Sequence, residues 1–203
     1  MSRPAVSTAL LVVDVQNDFC PGGALAVPEG DIIVPGINAA MAAAPSVILT
    51  QDWHPAGHSS FASSHPGRAP FETTDMPYGP QVLWPDHCVV GSHGAAFHRD
   101  LATDRADLVV RKGFHRTVDS YSAFFENDQT TPTGLDGYLR SRGIASLTIV
   151  GLATDFCVAY SARDAARLGY AVTVHMALCR AIDLDGSLAA AFADMQALGV
   201  AID

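Results

Sequence analysis

The chain has 203 residues, 49% hydrophobic and 16% charged, enough apolar content for a substantial core and too little charge for a disordered chain. Its formal net charge of −9, with only 12 Lys and Arg, argues against nucleic acid as a partner, because phosphate binding needs basic patches. No apolar run approaches membrane-spanning length.

The N-terminal Met1-Ser2-Arg3-Pro4 leads into an apolar run that stops at Asp14, too short for a secretion signal with its cleavage site. Residues 8–13 read as a first strand, ending at Asp14. Asp31 is placed to cap a helix over residues 32–43, with Pro35 in its first turn. Residues 46–51 form a second strand that ends at Asp52. From Asp52 to Arg105 the chain is dense in Pro, Gly, Ser and His with weak periodicity, and so long a loop inside a domain points to function. Residues 108–111 are a third strand, running into Lys112, and Thr133 is placed to cap a short helix over 134–142. Residues 146–150 are a fourth strand and 158–168 a helix, with Cys157 at the turn between them. A fifth strand over 171–175, a helix over 185–198 and an edge strand over 200–202 complete the pattern.

Strands alternating with helices predict an α/β fold: three layers, with a mainly parallel six-stranded Rossmann-like sheet and helices on both faces. One domain is expected over 1–203, with an insertion at about 52–105. Ligands of such sheets bind at the carboxyl ends of the strands. Asp14, Asp52, Lys112 and Cys157 each stand at or just beyond the end of a different predicted strand, so the fold would gather them on one edge.

Cys157 alone reads as a small buried residue, the common fate of a free cysteine. Its place at a helix N-terminus predicts a lowered thiol pKa, and a neighbouring carboxylate and ammonium, Asp14 and Lys112, would supply a base and a positive charge. Asp52 and His54, two apart on an extended segment, face the same way and offer an oxygen and a nitrogen ligand suited to zinc, iron or manganese. Six of the eight histidines lie between His54 and His98, and spacing does not choose a third ligand among His58, His65, His87, His93 and His98. Cys20, Cys88, Cys157 and Cys179 are scattered without a C-x-x-C pair, as expected of reduced thiols and a cytoplasmic address.

Six segments occur in order: Asp14-Val15-Gln16-Asn17-Asp18-Phe19, Asp52-Trp53-His54-Pro55, Trp84-Pro85-Asp86-His87-Cys88, Lys112-Gly113, Asp119-Ser120-Tyr121-Ser122-Ala123-Phe124 and Gly151-Leu152-Ala153-Thr154-Asp155-Phe156-Cys157-Val158. Together they resemble the bacterial nicotinamidases of the isochorismatase-like cysteine hydrolases. The resemblance implies deamidation of nicotinamide to nicotinate and ammonia through a cysteine thioester, hydrolysis of pyrazinamide, and a place in NAD salvage. It implies a catalytic set of Asp14, Lys112 and Cys157, and one divalent metal, zinc first with iron or manganese as alternatives, on Asp52, His54 and His87. No organic cofactor is implied. Some relatives offer a further histidine close to His58. Phe19, Trp84, Tyr121 and Phe156 match pocket positions. A cis peptide at Leu152–Ala153 would aim the N–H groups of Ala153 and Cys157 at the substrate oxygen. The partner expected is a small molecule, with no nucleic acid and no membrane, and a homodimer is left open. The competing expectations are a sister amidohydrolase for carbamoyl or ureido substrates, which leaves the metal set unexplained, and a catalytically silent binding module.

Overall fold

A computed structural model describes residues 7–203; residues 1–6, on which part of the N-terminal reading falls, lie outside the described residues. Six strands form one parallel sheet: β1 (Ser7–Val13), β2 (Val47–Asp52), β5 (Leu108–Lys112), β6 (Ile144–Leu152), β7 (Ala171–Arg180) and β8 (Ala201–Ile202). Their spatial order is β5-β2-β1-β6-β7-β8. Helices α1 (Val34–Ala43), α2 (Leu135–Ser141), α3 (Ala159–Arg167) and α4 (Ser187–Ala197) supply crossovers. After β1 the chain moves toward β5, and later crossovers move toward β8. Right-handed connections therefore set α1 on one face and α2, α3 and α4 on the other.

The six expected strands are all present. Central β1 is a nearly continuous apolar run because both faces are covered: Ala9, Leu11, Val12 and Val13 are fully buried, as are Ile48, Leu49 and Ile149 beside them. The strand order reverses between β1 and β6, which places the switch point of the sheet, where α/β proteins bind ligands, between the ends of those two strands.

Four local expectations are corrected. Asp31 does not cap α1 with its side chain; its backbone carbonyl accepts from Val34 N at 3.1 Å, and Ile33 holds the cap position. Thr133 does accept from Leu135 N at 3.2 Å, but left-handed Gly134 takes the cap and α2 starts one residue late. The run 52–105 is not wholly irregular. It carries an antiparallel hairpin, β3 (Thr73–Met76) and β4 (Gly79–Val82), whose short polar strands and Pro80 hide it from pattern reading. Strand β7 runs to Arg180, where a register shift lets Cys179 pair with Gly151.

Candidate active site

Asp14 follows β1 in a left-handed conformation, φ 47°, which short polar side chains tolerate. One oxygen, Oδ1, accepts from Thr50 Oγ1 at 2.7 Å. The other, Oδ2, lies 2.9 Å from Lys112 Nζ. Lys112, at the end of β5, has no exposed surface. Its ammonium also meets Asp52 Oδ1 and Ser120 O, each at 2.9 Å, and Cys157 Sγ at 3.4 Å. Burial would neutralise this lysine, but Asp14 and Asp52 outweigh it and hold the pKa well above the ordinary range.

Cys157 stands in a single wide helical turn, Thr154–Val158, between β6 and α3. The helix-terminus expectation of an acidified thiol does not survive. Burial pushes the Cys157 thiol well above its ordinary value, with Lys112 opposing. The charge count explains this: one ammonium already faces two carboxylates, and a thiolate would be a third negative group. Burial also raises the Asp14 carboxyl, against the pull of Lys112. Burial and the nearby carboxylates thus favour the protonated thiol over the thiolate, against the pull of Lys112.

Asp52 divides its carboxylate. Oδ1 faces Lys112, while Oδ2 faces His54 Nε2 at 3.1 Å and His87 Nε2 at 3.4 Å. Each histidine is fixed through its other nitrogen. His54 Nδ1 donates to Gly113 O and His87 Nδ1 to Pro85 O, both at 2.8 Å, which turns both Nε2 atoms toward Asp52. A Cβ at Gly113, φ 68°, would overlap the His54 ring, so only glycine fits beneath it. The three buried ligand atoms all lie within 4.8 Å of one another, close enough to share one cation. Burial disfavours charge on His54, yet Asp52 raises its pKa to about 9 by holding a proton on Nε2; a bound cation would take that proton's place and leave the imidazole neutral. One oxygen and two neutral imidazoles are a zinc-type donor set.

Among the other histidines, His58 comes near, stacked 4.4 Å from His54 between ring centroids. Both of its nitrogens are engaged elsewhere: Nδ1 with Ser60 at 2.8 Å, Nε2 with the His115 and Val118 carbonyls at 2.9 and 3.2 Å. It buttresses His54 rather than offering a lone pair. His65 bonds Ser59 O, and His93 and His98 line a separate cleft.

Phe19, Trp84, His87, Tyr121, Phe156 and Cys157 converge on one small cavity, with Ala153 at its wall and the Leu152–Ala153 peptide cis. Trp84 meets Phe156 edge to face at 4.9 Å. Sequence reasoning missed three further lining residues, Asp119, Leu25 and Ile182. It also missed what holds them. Gln81 of β4 donates to Asp119 Oδ2 at 2.7 Å and to the Tyr121 hydroxyl at 2.8 Å, and Trp84 Nε1 donates to the same hydroxyl at 3.0 Å. Buried Asp155 accepts from Ile182 N at 3.0 Å and Asp183 N at 2.7 Å, pinning Ile182 to the pocket. Asp119 was visible as part of a recognised segment; Gln81 and Ile182 carried no signal.

A family profile for the isochorismatase domain matches residues 8–203. The chain belongs to this family. It is 54% identical to a nicotinamidase from Acinetobacter baylyi, over 98% of this chain and 92% of that protein. Among solved structures it is similar to a nicotinamidase/pyrazinamidase from Acinetobacter baumanii, with a TM-score of 0.96 and 54% identity over 98% and 97% of the two chains. It is also similar to a pyrazinamidase from Pyrococcus horikoshii in complex with zinc, with a TM-score of 0.77 and 33% identity over 97% and 98%.

Proposed function

We propose that this protein is a nicotinamidase that hydrolyses nicotinamide to nicotinate and ammonia, and accepts pyrazinamide. The observation that carries the reading is the junction at Lys112: its ammonium meets the Asp14–Cys157 pair and the Asp52 ligand at once, so a nucleophile and a cation site open into the same aromatic cavity.

In the first half-reaction Asp14 takes the Cys157 proton as sulfur bonds to the amide carbon. The carbonyl electron pair moves to oxygen, held by the N–H groups of Ala153 and Cys157; one such donor is typically worth about 10²–10³ in rate. The C=O bond re-forms, the C–N bond breaks, and Asp14 passes its proton to the departing nitrogen. In the second, water attacks the thioester, Asp14 takes its proton, the C–S bond breaks and the thiol is restored. Lys112 keeps the two carboxylates and the reacting sulfur in one balanced charge group.

Asp52, His54 and His87 are the residues that would hold a divalent cation, zinc before iron or manganese. When bound, the cation supplies a Lewis-acid contact for the ring nitrogen. Trp84 and Phe19 flank the ring, with Tyr121 and Phe156 closing the wall.

No helix among the described residues is long and apolar enough to cross a membrane. All four cysteines are free, which supports a reducing, cytoplasmic setting. In that setting the reaction serves NAD salvage. The test is ammonia release from purified, zinc-loaded protein given nicotinamide; no release above that of Cys157→Ala overturns the reading.

A further inference from the structure

Asp18 belongs to the segment after β1, yet the reaction above gives it nothing to do. Its carboxylate ties together distant turns. Oδ2 accepts the Cys88 N–H at 2.7 Å and Oδ1 accepts the Ala24 N–H at 3.1 Å. Its own N–H donates to Gly94 O at 3.0 Å. A Cβ at Gly94 would overlap the Asp18 carboxylate, so glycine there leaves it room.

The contact with Cys88 bears on the cation site. Cys88 is fully buried and holds a left-handed backbone, φ 47°, which a cysteine seldom adopts. It directly follows His87, and its carbonyl accepts His54 N–H at 3.0 Å. A change in the Cys88 backbone therefore moves both imidazoles. The N–H···O⁻ bond from Cys88 to Asp18 is charge-assisted, stronger than a neutral one.

We propose that Asp18 is a positioning residue for the cation site, fixing His87 and His54 through the Cys88 backbone without touching metal or substrate. The inference rests on the metal assignment proposed above. It predicts that the site loses grip on zinc when Asp18 is altered, while the thiol centre on the neighbouring strand ends stays intact.

The experiment measures the zinc dissociation constant of the whole protein by competition with a chromophoric chelator. Removing a supporting partner of a metal ligand typically weakens binding about 10–100-fold. Asp18→Ala is expected in that range. Asp18→Asn, which keeps an oxygen acceptor but loses the charge, is expected between Asp18→Ala and wild type. Gly94→Ala, which crowds the carboxylate without removing it, is expected to weaken zinc in the same direction and serves if Asp18→Ala does not fold. Iodoacetamide alkylation of Cys157, compared between the zinc-free proteins so that Asp52 carries the same charge in each, should keep its wild-type rate. Zinc affinity within about twofold of wild type in the folded variants overturns the inference, as does a loss of zinc binding only in proportion to the unfolded fraction. Wild-type protein that binds no zinc overturns the metal assignment together with this inference, whereas zinc-binding wild type beside unchanged variants overturns the inference alone.

Discussion

Asp52 and Lys112 are register partners at the ends of two neighbouring parallel strands, and their side chains meet at 2.9 Å. That pairing joins the thiol centre to the Asp52, His54 and His87 cluster proposed to hold the cation. Both residues are essentially buried, so each charge relies on the other. Lys112→Met strands Asp14 and Asp52 as unpaired buried carboxylates. We expect unfolding free energy to fall by about 3–5 kcal/mol, as for other broken buried pairs. Urea titration measures it. The Cys157 alkylation profile should also move to higher pH, because the ammonium opposes the burial that raises the thiol. Overlapping profiles in a folded variant mean that Lys112 does not tune the sulfur.

Cys157→Ala should lower ammonia release by about 10³-fold or more, the scale on which loss of a nucleophile is felt. Cys20→Ala, Cys88→Ala and Cys179→Ala remove buried thiols whose pKa values burial raises, whereas the Lys112 ammonium donates to Cys157 Sγ. They should stay active wherever they stay folded. A well-folded but inactive Cys179→Ala enzyme identifies a different nucleophile.

The acid limb of kcat/KM should report Asp14. Burial raises this carboxyl, with Lys112 and the Thr50 hydroxyl opposing. Asp14 takes a proton only when ionised, so activity is present above its raised pKa and is lost as pH falls through it. The limb therefore lies above the ordinary carboxylate value. Thr50→Val removes a 2.7 Å hydrogen bond to the charged form, so the limb should move to still higher pH. A pH–rate profile of the two proteins decides; a limb that stays put or moves down assigns the base elsewhere.

Ring recognition by the cation site is tested with three amides. Benzamide has nearly the shape of nicotinamide but lacks the ring nitrogen, and pyrazinamide keeps one at the matching position. A site built around one polar contact rejects the analogue lacking it by on the order of 10³-fold. Zinc-loaded enzyme should therefore favour nicotinamide and pyrazinamide over benzamide. Chelation, or His54→Ala, should lower kcat/KM for the first two and nearly erase the preference, with slow turnover of all three retained. Full discrimination after zinc is stripped would assign specificity to Trp84, Tyr121 and Phe156 instead.

The alternation of short apolar runs with amphipathic or Ala-rich segments determined the parallel sheet, because strands buried on both faces must be apolar throughout and parallel pairs need crossovers. From that alone Asp14, Asp52, Lys112 and Cys157 were expected on one edge, where they stand. His87 stood out among the loop histidines only by resemblance, since an irregular loop has no period from which to read direction. Tertiary structure set the rest. Whether a histidine turns a nitrogen toward Asp52 depends on what holds its other nitrogen: Gly113 and Pro85 leave Nε2 of His54 and His87 facing Asp52, while Ser60, His115 and Val118 engage both nitrogens of His58. Gln81 reaches Asp119 and Tyr121 from a hairpin with no apolar pattern. The upward pull on the Cys157 thiol runs against the local expectation, because a thiol's pKa follows its burial and the sum of nearby charges, and both arise from strand ends that are distant in sequence and adjacent only in the folded sheet.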